Sequence, residues 1–405
     1  MGGSSSSEQV PGTNTTSFFT LEELSKLKAD FETSGVEKVK PLIEKKVTDL
    51  DKTELNIAVT GESGTGKSTF INAMRGLQSD DLGAAVVGTT ETTKEPTGYS
   101  HPILTNVRYW DLPGIGSTQF PAAKYLTEMK FKRFDFFIII CACRFKECDV
   151  KLAKEIKRLG KKFYFVRSKI DDDLRSMRKQ RVINEEEELE KIWSDTVRRL
   201  AEAGFRDPTV FLISSLEPDR FDFIRLNEGL ERDLSNVKKR IFVLALPNLS
   251  VKIVQMKYEI LIKYVWMYAT LSGGLGAVPV PGFSLACDIG ILIGAIVHFR
   301  RCLGLDDASL QRLAKRAGKP VEELKATVKP PLLGDITPDV IMGLSWGTTA
   351  VVVSLLEIAL HHVPVIGSIF GASSSFLMTF KMLCCALDDL RENAERVVKV
   401  AFETD

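Results

Sequence analysis

Residues 55–70, LNIAVTGESGTGKSTF, decide the fold. The apolar run LNIAV reads as a buried strand, the pattern G-x-x-x-x-G-K-[ST] follows it directly, and the residues from Lys67 onward have helical spacing. Glycines at that turn let backbone N–H groups point inward at phosphate oxygens, and the start of the helix adds its positive end. Gly61, Glu62, Ser63, Gly64, Thr65, Gly66, Lys67, Ser68 and Thr69 therefore form the expected cofactor-binding run. Lys67 would reach the β- and γ-oxygens, and the Ser68 hydroxyl would ligate Mg²⁺.

Around this stretch, short apolar runs alternate with amphipathic ones between residues 54 and 245: LNIAV, VRYWDLP, DFFIIICA, KFYFVRSK and TVFLISS. Such alternation predicts an α/β domain with a mostly parallel sheet covered on both faces. The stretch NEEEELEKIWSDTVRRLAEAG predicts a solvated helix ending at Gly204, its acidic start matched to the helix N-terminus. Residues 1–19 are Gly/Ser/Thr-rich and read as a disordered tail. Residues 20–53 read as an N-terminal helical segment opened by Thr20 and Glu23 at capping-box spacing. From 246 to 405 strand-like alternation stops and long helical patterns take over, which predicts a C-terminal helical domain.

Composition narrows the class. Of 405 residues 44% are hydrophobic and 26% charged, as in a folded protein of more than one domain, and the formal net charge of +1 gives no support to nucleic acid as a partner. Cysteines at 141, 143, 148, 287, 302, 384 and 385 form no C-x-x-C pair, which fits reduced thiols and no structural metal. The N-terminus lacks a secretory signal, so the expected location is cytoplasmic. MGGSSS matches M-G-x-x-x-[ST], which makes Gly2 a candidate for myristoylation, although a Ser-rich tail accounts for the same letters.

The nucleotide class is read from two later strand ends. In WDLPG, Asp111 stands where a carboxylate can hold a Mg²⁺-bound water, and Gly114 where a backbone N–H can meet the γ-phosphate. In RSKID, Asp171 would accept both donors of a guanine edge while the stem of Lys169 packs on the base; adenine lacks that donor pair. Ser168 occupies the first position of the [NT]-K-x-D pattern, a change expected to weaken the bracing of that loop. Ser214 and Ser215, at the end of the last strand, could supply a backbone N–H to the base. Residues 83–93 would form a mobile loop over the γ-phosphate.

Hydrolysis is the unusual part. Ile115 follows D-x-x-G, where Ras-like enzymes place a water-orienting Gln, so the isolated domain should be slow. The missing group would come from elsewhere in the chain or from a second copy joined across the nucleotide face. Lys67, Glu62 and Glu91 are the candidate catalytic residues.

NIAVTGESGTGKSTFINAMRG, WDLPGIGS, YLTEMKFKRFDFFIII, KKFYFVRSKID and GLDDASLQRLA, in this order, resemble the interferon-inducible immunity-related GTPases over roughly residues 20–400. The resemblance implies a Ras-like P-loop GTPase domain joined to a helical domain formed by N- and C-terminal helices. It further implies GTP/GDP and Mg²⁺ as cofactors and self-association in the GTP state. Action at intracellular membranes in cell-autonomous immunity is implied as well. The lysine at 67 places the chain with the GKS type. Two departures stand out: Val87 aligns with a threonine that several relatives have in the mobile loop, and Ser168 replaces the usual Thr. The alternative reading is a slow or non-hydrolysing GTP-dependent binding module.

The C-terminal half holds two long apolar stretches, Tyr264 to Phe299 and Val340 to Phe380, each with a single charged residue, Asp288 or Glu357. SGGLGAVPVPGF and HHVPVIGSIFGASSS interrupt them, predicting two helical hairpins. Packed on each other they would form the core of a soluble helical domain; alternatively, one or both would dip into a membrane.

Overall fold

The computed structural model describes residues 52–88, 95–113, 129–276, 283–329, 334–337 and 374–402, with isolated positions at 26, 29, 30, 33, 125 and 340. The chain divides into two compact units. One comprises residues 45–262, 293–344 and 386–405, and the other residues 1–44, 263–292 and 345–385.

The larger unit is built on a six-stranded sheet. Its strands are β1 (Leu55–Thr60), β2 (Thr97–Ser100), β3 (Val107–Asp111), β4 (Phe136–Cys141), β5 (Lys162–Arg167) and β6 (Val210–Leu212), in the order β2-β3-β1-β4-β5-β6. All pairings are parallel except β2 with β3. Every residue of β1 and β4 is buried, as continuous apolar runs must be when helices cover both faces. The apolar core is rich in aromatic rings: Phe131 stacks on Phe137 at 4.7 Å, and Phe134 meets Phe137 edge-on at 5.6 Å. β2, with the sequence TGYS, is an edge strand that the apolar pattern does not reveal.

Helices follow the strands: α1 (Lys67–Met74), α2 (Glu147–Arg158), α3 (Ile170–Gln180), α4 (Glu185–Glu202), α5 (Phe223–Asp233) and α6 (Asn236–Ala245). The glutamate-rich stretch is α4. Asn184 caps it by accepting from the Glu186 N–H at 3.1 Å, and Gly204 follows its end with φ 99°. Beyond residue 250 the described elements are helical: α7 (Val251–Gly276), α8 (Phe283–Cys302), α9 (Asp307–Ala317), α10 (Val321–Ala326) and α11 (Ser374–Phe402).

In the smaller unit Trp266 packs on Phe376 and Phe380 at 5.6 and 4.7 Å, and the Ser272 and Thr379 hydroxyls share a buried hydrogen bond of 2.8 Å. The expected break beginning at Ser272 does not end α7, which runs through Gly273 and Gly274 to Gly276. Two glycines cost a helix roughly 1 kcal/mol each, which packing of the rest of a 26-residue helix can offset. The turn of the first hairpin, the second hairpin, most of the 20–53 helical segment and the 1–19 tail lie outside the described residues. Among the described residues no helix is long and apolar enough to cross a membrane, and no three His, Cys, Asp or Glu side chains are placed to hold a metal.

Candidate nucleotide site

Residues after β1, β3, β4 and β5 converge at one edge of the sheet. The strand order reverses at β1, and in open α/β sheets such a reversal creates a crevice beyond the C-terminal strand ends. Gly61, Gly64 and Gly66 have φ of 144°, 79° and 91°, left-handed values that an L side chain rarely adopts. Gly61 has a second reason to be glycine, because a Cβ there would stand 2.0 Å from the Ile140 carbonyl oxygen on β4.

Within the loop, Thr65 Oγ1 donates to the Glu62 carbonyl at 2.8 Å. Lys67 is buried, and its Nζ donates to the carbonyls of Gly61 and Glu62 at 3.1 Å each, so the ammonium lies over the start of the loop. Ser63 and Gly64 are exposed at the loop's crest, and Thr69 is half-buried in the first turn of α1. Ser68 Oγ donates to Asp111 Oδ2 at 2.9 Å. Parallel pairing sets Asp111 beside Val59, leaving its carboxylate 1% exposed. A hydroxyl and a buried carboxylate at that separation are the oxygen donors a Mg²⁺ site needs, one direct and one through water. Just beyond, Tyr125 Oη donates to the Pro113 carbonyl at 2.7 Å and fixes the chain as it leaves β3.

Ser168 Oγ lies 2.6 Å from the Thr65 carbonyl and 3.1 Å from that of Cys141, tying the phosphate loop to β4 and β5. At this position of the [NT]-K-x-D pattern the serine hydroxyl makes the brace. Lys169 is in the left-handed region at φ 61° and caps α3. Asp171 sits in the first turn of α3, 8% exposed, with Arg175 Nη2 at 3.7 Å. Ser214 Oγ accepts the backbone N–H groups of Leu216 and Glu217 at 3.2 and 3.1 Å, which shapes the turn after β6. Ser215 Oγ is buried without a partner among the described residues.

Glu62 is half-buried, and its carboxylate pairs with Lys146 Nζ at 2.6 Å. No local pattern points to that partner, which stands 84 residues away on the loop after β4. The Lys146 backbone N–H donates to Asp149 Oδ2 at 2.9 Å, and burial pushes the Asp149 carboxyl up to about 6. Cys141 is buried and its thiol is raised by desolvation, the mark of a packed side chain and not of a reactive one. Gly2, Glu91, Gly114 and Ile115 lie outside the described residues.

A left-handed glycine loop entering a helix, a buried lysine across it, a Ser–Asp oxygen pair and an acidic residue on the neighbouring strand end together define a P-loop nucleotide hydrolase of the GTPase class. The family model described as Interferon-inducible GTPase (IIGP) matches residues 21–378, and the chain belongs to that family. It is 37% identical to Interferon-inducible GTPase 5 of Rattus norvegicus over 98% of this chain and 86% of that protein. With Interferon-gamma-inducible GTPase 10 of Mus musculus the identity is 41%, over 78% of this chain and 76% of the relative. A crystal structure of Aquifex aeolicus Era is 18% identical, covering 44% of this chain and 56% of its own, with a TM-score of 0.33. The chain is a GTPase that uses GTP and GDP with Mg²⁺.

Proposed function

We propose that the protein is a GTP-driven switch whose hydrolysis is completed by a second copy and whose assembled form acts at intracellular membranes, in the service of cell-autonomous immunity. The observation that carries the reading is the Ser68–Asp111 pair at 2.9 Å beneath a loop crossed by Lys67. In this reading the loop amides and Lys67 bind the phosphates, and Ser68 and Asp111 hold Mg²⁺, which neutralises charge building on the phosphate oxygens when bound. Lys169 and Asp171 read guanine. Gly114 senses the γ-phosphate.

Dependence on a second copy is supported by what the chain lacks and by what surrounds the loop. Ile115 has no group that can orient water, so one chain cannot position the nucleophile through that residue. The exposed Glu62–Lys146 pair flanks the loop's crest, and Val86 and Val87 beyond α1 are 67% and 47% exposed. An exposed charged pair beside a site that must be completed suits a contact between copies, to which exposed valines on the same unit could add apolar area. Single-turnover GTP hydrolysis measured across protein concentration tests the proposal. The expected result is a rate per molecule that climbs with concentration. A flat rate sinks the reading and favours a GTP-dependent binding module, whose output would be a partner interaction.

A further inference from the structure

A cleft of about 60 Å³, partly open to solvent, lies within the larger unit and shares no lining residue with the nucleotide site. Its walls come from the C-terminal end of α1, the turn after β2, the first turns of α7, the end of α8 and one face of α9. Five of its lining residues are cationic, Arg75, Lys257, Arg301, Arg312 and Arg316, and none is acidic.

The neighbouring cation shows what is unusual here. Lys315 turns away from the cleft and pairs with Asp80 and Asp81 at 2.7 Å each. Among the described residues, none of the five cleft cations lies in ion-pair reach of a carboxylate. Arg75 is 6% exposed, yet only part of its guanidinium is satisfied: Nε donates to Ser100 O and Nη2 to Gly83 O, both at 3.0 Å, while Nη1 is buried with no acceptor. Arg316 repeats the pattern, with Nη2 on Leu77 O at 3.2 Å and Nη1 buried and unmatched. Among the described residues Arg312 Nη2 meets only the Ser309 hydroxyl, at 2.8 Å. Lys257, 3% exposed, gives one of its three N–H bonds to Cys302 O at 2.8 Å.

Structural bracing explains the bonds to carbonyls. The Arg75 guanidinium also lies over the Tyr99 ring, 5.5 Å from its centroid, which leaves the Nη1 atoms of Arg75 and Arg316 as buried donors without a hydrogen-bond acceptor among the described residues. The acids whose charge reaches the cluster are Asp306, felt at Lys257, and Asp81 and Asp219, felt at Arg316; all three stand outside the lining. The positive field of the cluster is felt at His101 in the same wall, pushed down to about 3 by burial and then by Lys257, Arg75 and Arg312.

We propose that this cleft binds a small phosphate-bearing anion, held by Arg75, Lys257, Arg312 and Arg316. Several arginine forks and one ammonium converging on a partly enclosed space match the many acceptor oxygens of a phosphate better than a single carboxylate. The site adjoins the far end of α1, the eight-residue helix that begins at Lys67, so its occupant would stand about 12 Å along the helix from the nucleotide phosphates.

The test is calorimetric titration of pyrophosphate into the full-length protein already saturated with GDP, so that the phosphate loop is filled. One further equivalent is expected to bind, weakened at least about tenfold by Arg312→Glu and also by Arg301→Glu at the exposed rim, with GDP affinity unchanged in both. Two variants guard against one of them misfolding. Competition by vesicles containing phosphatidylinositol bisphosphate, and none by phosphatidylcholine vesicles, would assign the phosphate to a lipid headgroup; absence of competition would assign it to a soluble molecule. No binding to the GDP-saturated protein, or binding as strong in both variants as in the parent, overturns the proposal. Neither result bears on concentration-dependent hydrolysis.

Discussion

Asp171 is the residue on which base selectivity should turn. Its carboxylate is 8% exposed and only loosely met by Arg175, so two acceptor oxygens remain for a base edge. In Asp171→Asn one acceptor becomes an N–H donor that faces the donors of guanine. GTP affinity is expected to fall roughly 100-fold, with preference passing to xanthine nucleotides, whose carbonyl replaces the amine. Competition against a fluorescent GDP analogue reads both changes, and unchanged guanine preference would remove Asp171 from the role. His101 gives a second residue-scale outcome. Its Nδ1 accepts the Ile103 and Leu104 N–H groups at 3.3 and 3.1 Å, so the ring is held neutral, and its folded value of about 3 lies far below the ordinary 6.5. A base depressed on folding contributes stability above its unfolded value and loses it as pH falls. Between pH 6.5 and about 3 that loss runs at roughly 1.4 kcal/mol per unit. Asp149, raised to about 6, opposes it, because its contribution is present at low pH and fades as pH rises from 3.8 to about 6. Since the shift at His101 is larger, urea midpoints should drop from pH 6.5 to 5. The drop should shrink in His101→Asn, whose Oδ1 can keep accepting the two N–H groups.

At the scale of elements, the phosphate loop is held by its closeness to β4 as much as by its glycines. Gly61→Ala would set a methyl 2.0 Å from Ile140 O, at φ 144°, and the strand cannot yield without breaking its pairing with β1 and β5. A cost of about 3 kcal/mol or more is expected from overlap and strain. Gly64 meets nothing within 4 Å, so Gly64→Ala should cost only about 1 kcal/mol, from its left-handed backbone alone. Denaturation midpoints of the two variants measure the difference, and equal losses would mean that β4 gives way. This contrast also marks how far the sequence is legible. The spacing of the glycines and the runs around LNIAV, DFFIIICA and KFYFVRSK disclose the loop and the central parallel strands, because each signal is local and buried on both faces. β2 escapes, since TGYS on an edge needs no apolar run. Lys146, the Thr65 partner of Ser168 and the grouping of the cleft cations escape for a different reason: the residues brought together are far apart in the chain, as with the 103 residues between Thr65 and Ser168. Only the folded sheet brings such pairs together.

For the whole molecule the proposed action at membranes raises the question of what part the apolar sequence would take in it. The described apolar helices bury side chains against protein, as Trp266 does on Phe376 and Phe380, and none of them is long and apolar enough to cross a bilayer. If the proposed membrane action runs through an acyl chain at Gly2, its strength should depend on how many weak contacts act at once. One myristoyl chain at Gly2 would give an association constant of only about 10⁴ M⁻¹, which leaves most protein free at micromolar lipid. The proposed assembly in the GTP state would change this, because copies held together would present several acyl chains to one surface and their binding would multiply. Protein made alongside an N-myristoyltransferase should therefore co-sediment with liposomes weakly in GDP and at least about tenfold more strongly with a non-hydrolysable GTP analogue. Gly2→Ala should lose most binding in both states while keeping concentration-dependent hydrolysis in solution, since the acyl chain takes no part in the chemistry. Sedimentation that ignores both the nucleotide and Gly2 would separate membrane attachment from the switch and place it in the apolar helices themselves.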